Sequence, residues 1–403
     1  GSFTIFEGVD GPWAPDADRP VLRSASVDVP WCALSGLDDA GDGKLVGIPD
    51  SAYAPTKIFE IQTGSGFAAL TTPVTIMREG DEASYDGEGI AVDTSDIAPA
   101  NPGWWIGSEG NAAFGDEDYL PNLLVQVDGD GEVLREVWLP DTIDSPGAGT
   151  IRSNGYEGVA LSGDGRYALA PIQRQFTGES AAFTRIARVD LTTLECDGIT
   201  CTGEWEFFKY PLDAIPAGAT WVALSELSHI EDETYAVIER DNVAGGVVKK
   251  IYAFTLEGLG DGDTIQKALW VDVQDDFFPY EKVEGIAWAD GELWVNLDND
   301  CGESETVIVN YGALALPDVE PQPTATPTAT ATATATPTAT TVPPTTVPNT
   351  AVPTSTTQAP MPPNTGSGSA VGGSGLNTPL MLLGVLAALG GFVAYTWRVR
   401  RPS

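Results

Sequence analysis

The chain has 403 residues and carries 58 acidic against 20 basic side chains, a formal net charge of −38. A field of that sign repels phosphate backbones and anionic lipid surfaces, which excludes nucleic acid as a partner and leaves either divalent cations as the complement or simply high solubility in salt. Apolar residues make up 42% and tryptophan is frequent, enough for a large core. The globular composition ends near Asp318, beyond which lie only Glu320 among the acids and Arg398, Arg400 and Arg401 among the bases.

In chain order, Ser2–Glu7 reads as a strand, and a repeat follows. Each copy opens on a polar or acidic residue, runs through a short apolar strand and a turn, and ends in a second apolar strand closed by polar groups. The copies are Ser35-Gly-Leu-Asp with Lys44–Asp50, Glu88-Gly-Ile-Ala-Val-Asp with Trp104–Glu109, and Glu157-Gly-Val-Ala-Leu-Ser with Tyr167–Gln173. Two more are Glu226-Leu-Ser-His-Ile-Glu with Thr234–Asn242, and Glu284-Gly-Ile-Ala-Trp-Ala with Glu292–Asp300. The openings at 35, 88, 157, 226 and 284 are spaced by 53, 69, 69 and 58 residues. Repeats of this size with several short strands each predict an all-β propeller over residues 1–317. Five repeats are evident, and residues 12–30 and 65–80 leave room for a sixth blade.

Four strands are expected per repeat. The second shows them best, at Gly89–Val92, Trp104–Gly107, Leu123–Val127 and Val133–Leu139, the last two joined by the turn sequence Asp128-Gly-Asp-Gly. Outer pairs are expected at Thr184–Leu191 with Glu204–Tyr210 and at Lys250–Leu256 with Ala268–Val273. The fifth repeat reaches Glu305–Tyr311 and then runs out. Its missing fourth strand matches the surplus strand at Ser2–Glu7, which is expected to complete the ring and remove an open sheet edge.

Residues 318–363 are almost entirely Pro, Thr, Ala and Val, a composition that buries too little to fold and predicts an extended, O-glycosylated stalk. At about 3.1 Å per residue it spans on the order of 100 Å or more. The segment 362–403 reads as a surface anchor. Leu380–Trp397 is uncharged and about 27 Å long as a helix, close to a bilayer core. Arg398-Val-Arg-Arg holds its end in the cytoplasm and everything before it outside. Pro362-Pro-Asn-Thr-Gly366 resembles the Leu-Pro-x-Thr-Gly signal of bacterial sortases, with proline where leucine stands. The chain starts at Gly1-Ser2 without a secretory leader and is read as a mature form. A monomer is expected, held to the cell membrane or cell wall.

Four cysteines suit two disulfides in an oxidising compartment. Cys196 and Cys201 flank a short loop between outer strands. Cys32 precedes the first repeat strand and Cys301 follows the last, so that pair is expected to lock the ring, with buried free thiols as the alternative.

In a propeller blade the start of the innermost strand and the end of the second lie on one face of the disc. That places Glu88, Glu157, Glu226 and Glu284 near Asp50, Glu109, Gln173, Glu239, Asp241, Asp298 and Asp300. Two such charges 6 Å apart repel by roughly 3 kcal/mol at an effective dielectric of 20. Either each glutamate accepts hydrogen bonds from its neighbour blade and pins the ring, or a hard cation sits among them. Ca²⁺ is the candidate cofactor, with Glu88, Glu157, Glu284, Asp298 and Asp300 as candidate ligands. Glu88, Glu157, Glu226, Glu284 and Arg240 are the candidate catalytic groups. His229, the sole histidine, lies on a strand, and no Gly-x-Ser-x-Gly elbow accompanies it.

The runs Asp86-Gly-Glu-Gly-Ile-Ala-Val-Asp, Asn154-Gly-Tyr-Glu-Gly-Val-Ala-Leu-Ser-Gly-Asp-Gly-Arg-Tyr, Ser225-Glu-Leu with Val237-Ile-Glu-Arg-Asp-Asn, and Val283-Glu-Gly-Ile-Ala with Asp298-Asn-Asp resemble the phytase-like family, also described as esterase-like activity of phytase. The resemblance extends over about residues 30–312, and the first repeat departs from it with Ser35 where later repeats have glutamate. It implies an extracellular β-propeller that hydrolyses esters or phosphoesters. A polyphosphate substrate needs cations, for which Arg152, Arg174, Arg240 and Lys282 are the candidates on this face. Two functions follow: a Ca²⁺-dependent surface hydrolase acting on a small phosphate or carboxylic ester, or a non-catalytic propeller that binds an extracellular ligand, glycan or protein.

Overall fold

The structure is a computed structural model. It describes residues 33–50, 55–64, 67–70, 73–110, 121–140, 154–176, 178–277, 280–298 and 307–319, and the strands at 4–5 and 21–23; at 4–5, 21–23, 64 and 67–70 it describes backbone alone. All belong to one compact unit, Gly1–Thr330. The stalk from residue 320 on, the sortase-like motif and the apolar run at Leu380–Trp397 lie outside the described residues, as do Cys32, Asp300 and Cys301. Among the described residues no helix is long and apolar enough to cross a membrane.

Two short strands, β1 (Thr4–Ile5) and β2 (Val21–Arg23), precede the repeats. The first repeat forms β3 (Leu34–Gly41), β4 (Lys44–Pro49), β5 (Lys57–Gly64) and β6 (Phe67–Leu70), with β7 (Val74–Thr75) beside β5. A small hairpin follows, β8 (Met77–Arg78) and β9 (Asp81–Glu82). The second repeat is β10 (Gly87–Val92), β11 (Pro102–Ser108), β12 (Leu123–Asp128) and β13 (Val133–Trp138). The third is β14 (Ala160–Leu161), β15 (Tyr167–Ile172), β16 (Phe183–Asp197) and β17 (Thr200–Pro211). The fourth is β18 (Val222–Glu231), β19 (Thr234–Asp241), β20 (Lys249–Thr255) and β21 (Lys267–Asp272), followed by the one-turn helix α1 (Gln274–Phe277). The fifth is β22 (Val283–Ala289), β23 (Glu292–Leu297) and β24 (Val307–Gly312).

Within each repeat the strands pair antiparallel in sequence order, and apolar residues fill the spaces between sheets. Val46, Ile48 and Ile58 of the first sheet pack on Ile90, Ile106 and Val125 of the second. Trp105, Leu124 and Val137 meet Ala168, Ala187 and Val189 of the third. Leu169, Ile186 and Phe208 then meet Leu227, Val237 and Phe254 of the fourth. Ile238 and Ile251 meet Ile286 and Val295 of the fifth. The cycle returns to its start where Ala287, Trp294 and Ile308 pack on Leu34, Leu37 and Phe59. Sheets that each bury both faces against two neighbours in a closed cycle make a propeller-like all-β body.

One expectation about the ends needs correction. The expected terminal strand within Ser2–Glu7 joins the first sheet, where Thr4 pairs with Leu70. The fifth sheet is completed by β2 instead, with Val21 opposite Val309 and Arg23 opposite Val307. From Arg23 the chain then passes to β3 of the first sheet, so the pairing still ties the two ends of the ring. Within the stretches where a sixth blade could lie, residues 67–70 and 74–75 pair in the first sheet and residues 21–23 pair with β24.

The β16–β17 hairpin is longer than its expected core and runs to a tip clipped by the Cys196–Cys201 disulfide. At that tip β17 pairs in parallel with β13, Glu136 opposite Thr200 and Val137 opposite Cys201, joining the outer edges of two successive sheets.

Candidate functional site

The innermost strands β3, β10, β18 and β22, with the segment leading into β14, surround the axis. Their pairing registers place equivalent residues together: Leu37, Ile90, Leu227 and Ile286 pair with Gly47, Ile106, Val237 and Val295, equivalent places on the second strands. One residue earlier stand Gly36, Gly89, Gly158 and Gly285, but in the fourth sheet Glu226. One residue earlier again stand Ser35, Glu88, Glu157, Ser225 and Glu284. Glu226 is therefore one position out of step with the other glutamates, and Ser225 holds their place. A one-residue offset turns a strand side chain to the opposite face, so Glu226 enters the axis.

The glycines make room for it. A Cβ on Gly36 would lie 2.7 Å from Glu226 Oε2, and one on Gly89 would lie 2.5 Å from Oε1. The backbone N–H groups of Leu37 and Val159 each donate to one Glu226 oxygen at 3.1 Å. Burial pushes this carboxyl well above its usual range. Glu226, a candidate catalytic group from the sequence, is thus an axial tie between three inner strands, fully enclosed.

The remaining glutamates gather at one mouth of the axis. Ser35 Oγ donates to Glu88 Oε2 at 2.9 Å and reaches Glu284 Oε2 at 3.4 Å. Gln173 Nε2 donates to Glu157 Oε1 at 2.6 Å, and the Gly155 N–H donates to Glu109 Oε1 at 3.1 Å. Arg240 projects from the end of β19 into the same mouth. Its Nε donates to Ser225 Oγ at 3.0 Å, Nη1 to Glu281 at 3.0 Å and Nη2 to Glu284 Oε1 at 2.5 Å. Lys282 Nζ donates to Asp298 Oδ2 at 2.9 Å and to Asp50 Oδ2 at 3.4 Å. Two guanidinium groups approach the Trp221 ring, Arg240 at 5.2 Å and Arg174 at 5.3 Å from its centroid. Arg174 makes no ion pair among the described residues.

These surroundings drive the carboxyl groups apart. Burial, then the charge of Glu284, lifts Glu157 to about 7, against the pull of Arg240, Gln173 and Lys282. Burial, then Glu157 and Asp86, lifts Glu109 to about 9. Burial and the carboxylates of Asp50, Glu157, Glu284 and Glu109 push Glu88 well up. Burial pushes Glu284 in the same direction, but Arg240 and Lys282 outweigh it and hold this carboxyl below its usual range. Burial also weakens the Arg174 cation, lowering its pKa.

Asp50, Asp86 and Glu88 each offer an oxygen within 4.8 Å of the others, the spacing of oxygens around a common cation. Of the ligands expected from sequence, Glu88 belongs to this group. Glu157 is held by Gln173, Glu284 by Arg240, and Asp298 by Lys282 in the same mouth. Glu239 and Asp241 point elsewhere: Glu239 to Lys267 at 2.5 Å, and Asp241 to Lys249 at 2.8 Å with the backbone of Val247 and Val248. Asp86 was not among the candidate site residues of the sequence reading, and Trp221 and Glu281 had no place in it. Asp86 opens the Asp-Gly-Glu-Gly run, and its two-residue offset from Glu88 was the available signal. Arg152 lies outside the described residues.

No curated protein matches the chain. Solved structures similar to it include a periplasmic gluconolactonase of Pseudomonas aeruginosa, 14% identical, covering 78% of this chain and 99% of that one, TM-score 0.32. A PQQ-bound aldose sugar dehydrogenase of Streptomyces coelicolor is 13% identical, covering 74% of this chain and 99% of that one, TM-score 0.35. A gluconolactonase of Xanthomonas campestris is 11% identical, covering 69% and 86%, TM-score 0.31. The family model described as phytase-like, esterase-like activity of phytase, matches residues 29–301. That stretch runs from just before β3 to just past β23 and takes in every residue of the acidic mouth, so the chain belongs to the phytase-like family.

Proposed function

We propose that the acidic mouth is the active site of a Ca²⁺-dependent hydrolase of phosphate or carboxylic esters, carried on a five-bladed propeller that β2 completes. The observation that carries this reading is the division of carboxyl environments at one mouth, Glu157 raised to about 7 beside Glu284 held low by Arg240. Pairs of groups driven apart in this way mark acid–base sites. Membership of a family described by esterase-like activity supports the same reading. Asp50, Asp86 and Glu88 would hold the cation, which supplies Lewis-acid polarisation of the ester oxygen when bound. Glu157 takes the proton of the attacking water, with Gln173 fixing its carboxylate. Arg174, free of carboxylate partners among the described residues, faces the anionic group of the substrate.

The test is hydrolysis of 4-nitrophenyl acetate, 4-nitrophenyl phosphate and phytate, with Ca²⁺ and with chelator. With Glu157 as base, kcat/KM rises as pH increases through about 7. Glu157→Gln should lower it by about 10²-fold or more. No turnover of any substrate under either condition would discard the hydrolase and leave a binding propeller.

Cation binding has its own readout. Glu88, Glu109 and Glu157 have folded-state pKa values above their unfolded ones, so the folded protein holds more protons than the unfolded chain between about 4.5 and 7–9. Their contribution to stability is full below the unfolded value and is lost as pH rises through the folded one. In chelator the melting temperature should therefore fall between pH 5.5 and pH 8. Ca²⁺ in millimolar excess should restore several degrees at pH 8 and little at pH 5.5. Equal melting with Ca²⁺ and with chelator at pH 8 removes the cation from the proposal.

The segment 362–403 is proposed to anchor the propeller at the cell surface. Deleting Leu380–Ser403 should release the protein into the medium, and retention of the truncated protein on cells would refute the anchor.

A further inference from the structure

The axis has a second mouth, on the far side of Glu226. Residues from all five repeats line a cavity there of about 360 Å³, Asp38 and Asp39 from β3, Val92 from β10, Ser162 just beyond β14, His229 from β18 and Trp288 from β22. Its volume is that of a small-molecule site, and its position on the ring axis is where the repeats bring one residue each to a common point.

The polar groups of this cavity are largely hydrogen-bonded within the chain, but neither of its two carboxylates has a cation among the described residues. Ser162 Oγ donates to Asp164 at 2.6 Å, Asp39 Oδ1 accepts from the Gly41 N–H at 2.8 Å, and His229 Nε2 meets the Asp232 carbonyl at 2.8 Å. Asp38 Oδ2 accepts the Val92 N–H at 2.7 Å, but no cation pairs with this carboxylate among the described residues. Burial lifts Asp38 to about 7, the expected response of a carboxylate partly withdrawn from water without a counter-charge. The missing complement is a cation.

The walls decide which cation. Oxygen ligands are too few for a bare divalent ion, because Asp38 and Asp39 are the two carboxylates in its lining and no metal-spaced group of three acidic residues occurs here among the described residues. Instead Trp288, whose ring packs on Trp270 at 5.3 Å between centroids, lines the same cavity as Asp38, and Ala91, Val159, Leu161 and Ile230 supply its apolar part. A carboxylate, an aromatic ring and aliphatic walls are the chemistry that holds an organic ammonium. We propose that this second mouth binds a small organic ammonium ion, with Asp38 as its counter-ion and Trp288 as its aromatic wall.

Calorimetric titration of the full chain at pH 8 with choline tests this, using 3,3-dimethylbutan-1-ol as the neutral isostere. Choline should bind with millimolar or tighter affinity, and the isostere about tenfold or more weakly. Asp38→Asn keeps an oxygen for the Val92 N–H and should weaken choline about tenfold or more. Trp288→Leu should do the same without touching any charge, which keeps the test informative if Asp38→Asn folds poorly. Saturating Ca²⁺ should leave the choline affinity within about twofold. Equal binding of choline and isostere, unchanged affinity in both variants, or displacement of choline by Ca²⁺ would each overturn the proposal; the last would place the ammonium at the acidic mouth instead.

Discussion

Glu226→Ala is expected to destabilise the protein by about 3 kcal/mol or more, measured by urea unfolding at pH 7. The Glu226 carboxyl lies within three glycines and takes the Leu37 and Val159 N–H groups of two other sheets. Alanine leaves both donors buried and unpaired, each costing roughly 1–3 kcal/mol, and opens a void at the axis. The relief of removing a desolvated carboxyl offsets part of this. Glu226→Gln fills the volume but turns an amide N–H₂ toward one of the donors, so an intermediate loss is expected. Because Glu226 is enclosed, turnover by the folded fraction should survive both changes. An alanine variant with unchanged stability and abolished turnover would return Glu226 to the catalytic set.

That residue also shows where the sequence was legible and where it was not. Alternating apolar strands and glycine-rich turns are local signals, and they place β10–β13, β20 and β21 within two residues of their observed bounds and find the core of the longer β16–β17 hairpin. Repeat spacing locates the inner strands for the same reason. The spacing between the third and fifth openings does not say whether Ser225 or Glu226 is the equivalent residue. Both are polar, both precede an apolar run, and only pairing of Leu227 with Val237 settles it. A glutamate where four sheets have glycine is then an axial group, not a fifth member of the acidic mouth.

Ring closure was legible as a need for one more strand, not as a choice of strand. Ser-Phe-Thr-Ile-Phe and Val-Leu-Arg both have strand character, and their partners are set by contacts some 65 and 286 residues away. The acidic mouth shows the same limit. Glu88, Glu157, Glu284, Asp50 and Asp298 could be grouped from blade geometry alone. Asp86 joins them only because the chain turns before β10, and Trp221 only because it stands just ahead of β18. Alternation along β19 explains the rest, since Arg240 faces the axis and its neighbours Glu239 and Asp241 cannot.

Arg240→Met is expected to cost about 3–5 kcal/mol, the usual loss when one member of a buried ion pair is removed. Arg240 is enclosed, its guanidinium bonds Ser225, Glu281 and Glu284, and burial alone would lower its pKa. The charges of Glu284, Glu157, Glu281 and Asp298 outweigh that burial and raise it. Without the cation these carboxylates face one another, and Glu284 loses the partner that holds it below its usual range. In the parent, Glu284 contributes stability above its unfolded pKa that is lost as pH falls through the folded one. In Arg240→Met its folded pKa moves above the unfolded value, so the sign reverses and the contribution is lost as pH rises. The variant should therefore be more damaged at pH 8 than at pH 5.5. Glu284→Gln in the same chain removes the charge left behind, and the double variant should be less destabilised than the two single losses added, by about 1–3 kcal/mol. Additive losses, or a cost independent of pH, would show that Arg240 acts through packing on Trp221 and not as the counter-charge of the mouth.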